Sequence, residues 1–187
     1  PYLSCTPTVR EVASLNGYRY RSNEAIWWDV VPNEAQEHQN AIFKRLIDFY
    51  DAAPASQTVA VPRFAGGLVE IPASFPDDLQ LLDGLGVGLD GVTAAWTRIL
   101  EATHDRGELF VLVFHPETFE HVRGALGLVL QRARELTPNV WVTRLTDVSR
   151  WWESKTRFQV ETTETRHGLE LRFTCDERAT ILCRHVS

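Results

Sequence analysis

Six consecutive apolar residues, Leu109-Phe110-Val111-Leu112-Val113-Phe114, run directly into His115-Pro116. Beyond them the apolar positions fall at Phe119, Val122, Leu126, Val129, Ala133 and Leu136. An apolar run without alternation predicts a strand buried on both faces, as in a parallel sheet. Spacings of three and four predict an amphipathic helix, and Pro116 is placed to start it. A strand, a tight turn and a long helix in succession constrain the fold more than any other feature, because parallel strands are joined by crossovers that are usually helical.

The rest of the chain extends that pattern. Thr6-Pro7 followed by Val9, Val12, Ala13, Leu15 and then Gly17 reads as a short capped helix, with a strand beginning at Tyr18 to Tyr20. Ile42, Phe43, Leu46, Ile47, Phe49 and Tyr50 repeat with helical spacing, and residues 52–65 read as a connecting loop. Leu68 to Ile71 reads as a short strand halted by Pro72, and Val92, Ala95, Trp96, Ile99 and Leu100 mark one face of a further helix. Val140-Trp141-Val142 predicts another strand, and Thr146 a cap for a helix carrying Val148, Trp151 and Trp152. Alternating strands and helices imply an α/β layer or barrel.

After Lys155 the period changes to two: Phe158, Val160, Thr162, then Leu169, Leu171, Phe173, Cys175, then Ile181 and Cys183, with turns at Gly168 and at Asp176 to Arg178. The expected organisation is therefore residues 1–155 as a partial barrel and 156–187 as an antiparallel β extension.

Acidic residues outnumber basic ones by 25 to 19, and the net charge of −6 offers no general attraction for phosphate backbones, so nucleic acid is not an expected partner. No apolar run approaches the roughly 20 residues that span a bilayer. Cys5, Cys175 and Cys183 are too scattered for a disulfide framework or a Cys-x-x-Cys site. A chain that starts at Pro1 and contains no Met is expected to be a piece of a longer protein.

His115 stands where functional side chains emerge in α/β barrels, at the C-terminal end of a strand. The residues around it resemble a known family. Leu112-Val113-Phe114-His115-Pro116 is similar to the closing Leu-x-His motif of the polysaccharide deacetylase (NodB-homology) family, with Val113 in the place of the usual Leu. Pro1-Tyr2-Leu3, followed by Leu15-Asn16-Gly17-Tyr18-Arg19-Tyr20-Arg21-Ser22-Asn23, resembles that family's Arg-x-Pro-Tyr motif and the strand after it; only half of the motif is present. Leu68 to Pro72 with Pro76-Asp77-Asp78 resembles a strand and acidic loop that lie between those motifs in some members.

The resemblance implies the C-terminal portion of a distorted (β/α) barrel, from a metal-dependent hydrolase that removes N- or O-acetyl groups from carbohydrate. By that resemblance His115 is the general acid that protonates the leaving group, and Asp77 and Asp78 are candidates for the carboxylate that orients and charges it. Tyr2 lies near the acetyl pocket, and Trp28 is the candidate for a stacking contact with a sugar ring. The family's catalytic Asp and Asp-His-His metal ligands have no counterpart here, and His38, His104, His121, His167 and His185 form no pair at ligand spacing. A divalent metal, zinc foremost, is expected in the parent protein; none is expected on this chain alone, which should be inactive. A half barrel exposes apolar edges, so self-association is expected. Two other readings stay open: a non-catalytic carbohydrate-binding or interaction module, and a different barrel hydrolase with His115 as general base.

Overall fold

The computed structural model describes residues 3, 5–30, 41, 44–45 and 47–175. The chain is mixed α/β, built from helices and small sheets; among the described residues there is no closed barrel. It divides into two compact units, Pro1–Val142 and Thr143–Ser187. The division falls ahead of the last helix and not at the 155/156 change of period.

In the first unit, helix α1 (Pro7–Leu15) starts as its sequence dictates, with the Thr6 hydroxyl accepting from the Val9 amide at 3.3 Å and Pro7 in the first turn. Strands β1 (Tyr20–Arg21), β4 (Arg63–Ala65) and β5 (Leu68–Glu70) form one sheet in the order β1-β5-β4. Strands β2 (Ala25–Trp27), β3 (Ala53–Pro54) and β6 (Ala73–Phe75) form a second, wholly parallel sheet in the order β3-β2-β6. The segment 52–65, expected to be loop, thus supplies β3 and β4. Its Ala and Pro residues suit short edge pairings, which a propensity reading discounts.

The expectation for Leu109–Phe114 needs correction. The segment bridges the sheet at one point, Leu112 parallel to Ser74, and it is half-buried, with Phe114 exposed. Ser74 explains the short pairing: its amide donates to the Val111 carbonyl at 3.0 Å, while its hydroxyl accepts from the Val111 amide at 3.2 Å, where a ladder would use a carbonyl. No strand covers the other side of this segment among the described residues. Val140–Val142 is likewise assigned to no strand among the described residues, and Trp141 and Val142 are more than half exposed.

Helices α2 (Leu89–Arg106) and α3 (Phe119–Glu135) pack against each other and carry the core. Val92, Ala95, Trp96, Ile99 and Leu100 on α2 share one core with Val122, Ala125, Val129 and Ala133 on α3, joined by Ile26 of β2, by Trp28 just after it, and by Leu81 and Leu85. Gly107 ends α2 in the left-handed region at φ 67°. Of the helix expected over 42–50, residues 42, 43 and 46 lie outside the described set; 44–45 and 47–49 are helical.

The second unit contains α4 (Leu145–Thr156) and the hairpin of β7 (Gln159–Thr165) and β8 (Gly168–Thr174), paired antiparallel from Gln159 opposite Thr174 to Thr165 opposite Gly168. Thr146 does not cap α4. Arg144 holds the cap position without a side-chain cap bond, and Thr143 and Arg144 bond instead to Asp147 in the first turn. The turn expected at Asp176–Arg178 and the strand at Ile181 and Cys183 lie outside the described residues.

Candidate functional site

Parallel strands deliver side chains to the loops at their C-terminal ends, and β6 and the bridged segment beside it end together. Asp77 and Asp78 follow β6; His115 follows Leu112. Ligand atoms of Asp77, Asp78 and His115 lie within 4.8 Å of one another. The two carboxylates, alike in sequence, are used differently.

Asp77 caps the helical turn that leads into a five-residue π-turn, Gln80–Gly84. Its Oδ1 accepts from the Gln80 amide at 2.8 Å, while Gln80 Oε1 accepts from the Asp77 amide at 3.1 Å, a reciprocal capping box. Asp77 is 5% exposed. Burial pushes its carboxyl up to about 6, against the lowering effect of the Gln80 amide, and the neighbouring Asp78 charge adds to the rise.

Asp78 faces the histidine. Its Oδ1 is 2.7 Å from His115 Nδ1, and its Oδ2 accepts from the His115 amide at 2.8 Å and from the Thr118 hydroxyl. Burial would raise the Asp78 carboxyl, but donation from Thr118 and from the backbone amide and ring Nδ1 of His115 outweighs it, and the group is held below its ordinary value. His115 shows the opposite balance. Desolvation lowers it, and the bond to Asp78, with the charges of Asp78, Asp77 and Glu117, raises it above its ordinary value. The His115 side chain is 33% exposed, and no partner holds its Nε2 among the described residues. The arrangement fixes one ring nitrogen on a buried carboxylate and leaves the other to reach a ligand, which is the geometry of a proton donor or acceptor.

Aromatic residues contribute less than expected. Trp28, the candidate sugar contact, is 4% exposed and packed in the core, with the Arg106 guanidinium 5.1 Å from its ring centre. That reading is corrected: Arg106 also donates to the carbonyls of Ala55 and Thr58, so the ring is sealed from ligands. Tyr2 lies outside the described residues. In the second unit, Lys155 Nζ stands 5.1 and 4.7 Å from the ring centres of Trp151 and Trp152.

Metal binding fits these donors poorly. Both Asp78 oxygens and His115 Nδ1 are engaged with each other, with the His115 amide and with Thr118, and the donors left in the cluster among the described residues, Asp77 and His115 Nε2, are too few for a zinc centre. A separate cleft of about 880 Å³ opens at the opposite, N-terminal ends of the parallel strands, lined by Asn23, Glu24, Ala25, Ala53, Arg63 and Pro72 among others; it shares no residue with the carboxylate–histidine cluster.

Sequence reasoning missed Thr118 and the buried ion pair of Glu70 with Arg21, 2.6 Å apart. Glu70 is fully buried and accepts from the amides of Asn23 and Glu24 at 2.7 and 3.0 Å, which fixes the turn between β1 and β2. A lone acid inside Leu68-Val69-Glu70-Ile71 signals such a pairing. Thr118, just ahead of the α3 periodicity, reads as an ordinary helix cap. Comparison with protein-family models, with curated proteins and with solved structures finds no match to this chain.

Proposed function

We propose that this chain is the C-terminal portion of a distorted (β/α) barrel from a carbohydrate N- or O-acetyl deacetylase-like hydrolase, in which His115 is the general acid. The observation that carries the reading is the Asp78 carboxylate bonded to His115 Nδ1 at 2.7 Å, with the ring partly open to solvent. An imidazole so held keeps its charged form to higher pH, and a donor that is protonated near neutrality can pass a proton from Nε2 to a departing amine or alkoxide. Asp77 adds negative charge close by, and the resemblance of Leu112–Pro116 to the family's closing motif supports the same assignment.

In this reading a divalent metal, zinc foremost, would be held by residues of the parent protein other than these and would supply Lewis-acid activation of the acetyl group. The role of His115 is proton delivery, and that of Asp78 is to orient the ring and balance its charge. The test is acetate release from acetylated chito-oligosaccharide and acetyl-xylan by the protein encoded by the complete gene. Replacing His115 with Ala should lower turnover by about 100-fold or more with the fold retained. Equal activity in that variant removes His115 from the mechanism.

A second reading, a non-catalytic carbohydrate-binding or interaction module, is favoured by the β7–β8 hairpin, where Val160, Leu169, Leu171 and Phe173 are exposed. Glycan binding that survives replacement of His115 and disappears on replacing Leu171 and Phe173 would select it.

A further inference from the structure

Thr118 occupies the N-cap position of α3, yet its side chain makes no bond to the helix. A capping threonine ordinarily stabilises the helix through that bond. Here the hydroxyl is spent elsewhere: it donates to Asp78 Oδ2 and lies 3.0 Å from the His115 carbonyl. A hydroxyl has a single hydrogen, and the charged carboxylate is the stronger acceptor. With the His115 amide 2.8 Å from the same Oδ2, two donors grip one oxygen of the carboxylate and leave the other directed at His115 Nδ1.

We infer that Thr118 is a positioning residue of the carboxylate–histidine pair: its hydroxyl fixes the rotation of the Asp78 carboxylate, and through it which nitrogen of the His115 ring carries the hydrogen. The inference rests on the proton-donor reading above and deepens it. Without the hydroxyl, Oδ2 keeps only the backbone amide, and the hold on the carboxylate's rotation about its Cβ–Cγ bond is weakened. A neutral ring then loses the partner that holds hydrogen on Nδ1 and reverts to the Nε2–H form, which dominates in free histidine. Second-sphere donors act on metal-bound and catalytic histidines in this way. The titratable groups facing the ring are Asp78, Asp77 and Glu117, none of which the substitution removes.

The experiment is long-range proton–nitrogen NMR of the 15N-labelled full chain above the midpoint of the ring, with the His115 signals assigned by a His115→Gln variant. In the unsubstituted protein the neutral ring should be the Nδ1–H tautomer. Thr118→Val should make Nε2–H the majority form and move the ring's titration midpoint down toward that of free histidine. Thr118→Ser should restore both, and Thr118→Ala serves if the valine variant does not fold. A purely structural role would change unfolding and leave the tautomer alone. An Nδ1–H ring that persists in both Val and Ala variants overturns the inference while the Asp78–His115 pair stands. An Nε2–H ring in the unsubstituted protein overturns the pair itself. A tautomer switch in a protein whose turnover is indifferent to His115→Ala upholds the positioning role and defeats only the hydrolase reading.

Discussion

Asp77 is the residue whose replacement tests the electrostatics of the site most directly. It is 5% exposed, and burial raises its carboxyl from the ordinary 3.8 to about 6. A folded-state value above the unfolded one means that the neutral form is favoured in the fold. That preference stabilises the protein below the ordinary value and is lost as pH rises through about 6. At about 1.4 kcal/mol per pH unit, the ionised carboxylate costs the folded state roughly 3 kcal/mol well above that range. Asn is the apt substitution because its Oδ1 can still accept from the Gln80 amide, so the capping box survives and only the charge goes. Asp77→Asn should therefore be more stable than the parent by roughly 3 kcal/mol at about pH 8.5, by roughly 1 kcal/mol at about pH 4.5, and nearly equal to it at about pH 3. Asp78 acts in the opposite sense: its depressed value adds stability above the ordinary 3.8 that is lost on acidification. It is common to both proteins and cancels to first order. Urea unfolding followed by tryptophan fluorescence, to which the fully buried Trp96 of the same unit contributes, provides the measurement. A difference that does not change with pH, or a variant less stable at about pH 8.5, refutes the assignment of a raised carboxyl at Asp77.

Two further substitutions test the frame that holds the site. Gly107→Ala meets no atom within 4 Å, so its cost should be the left-handed backbone alone, about 1 kcal/mol by urea unfolding; a cost near zero would mean that the α2 terminus relaxes. Trp96→Ala empties the contact between α2 and α3 and should destabilise by about 3–5 kcal/mol by calorimetric or denaturant unfolding, whereas a loss under about 1 kcal/mol would place Trp96 outside the core.

Much of the frame was legible. The α2 and α3 faces follow from period alone, since every third or fourth residue from Val92 and from Val122 reaches the core. The short strands were less legible, because β3 and β4 are two and three residues long and draw their order from neighbours in space, not from local preference. The single bridge of Leu109–Phe114 was hidden for a related reason: whether an apolar run joins a full ladder depends on what lies beside it, and here a serine hydroxyl takes a carbonyl's place.

At the site, His115 was marked by its position after an apolar strand, and Asp77-Asp78 by their charge after Pro76. Which carboxylate meets the ring stayed open at the level of sequence, because adjacent residues entering a helical turn point to different sides and charge alone does not tell them apart. The Asp-x-x-Gln spacing from Asp77 to Gln80 is a readable cue that Asp77 is the capping member, which leaves Asp78 for the histidine. Trp28 failed as a surface ring because the guanidinium that covers it comes from Arg106, a contact that no local pattern announces.

Asp78 gathers bonds from the main chain of residue 115, from an imidazole and from a hydroxyl three positions later, all on one carboxylate. It is thus a rivet between two loops as well as a partner in chemistry. A variant library sorted only for foldedness would retain Asp78 and let the ring at 115 drift to other side chains, since the main-chain bond needs no imidazole. Intolerance at 78 is consequently no signature of turnover, and the informative position is the one that folding leaves free.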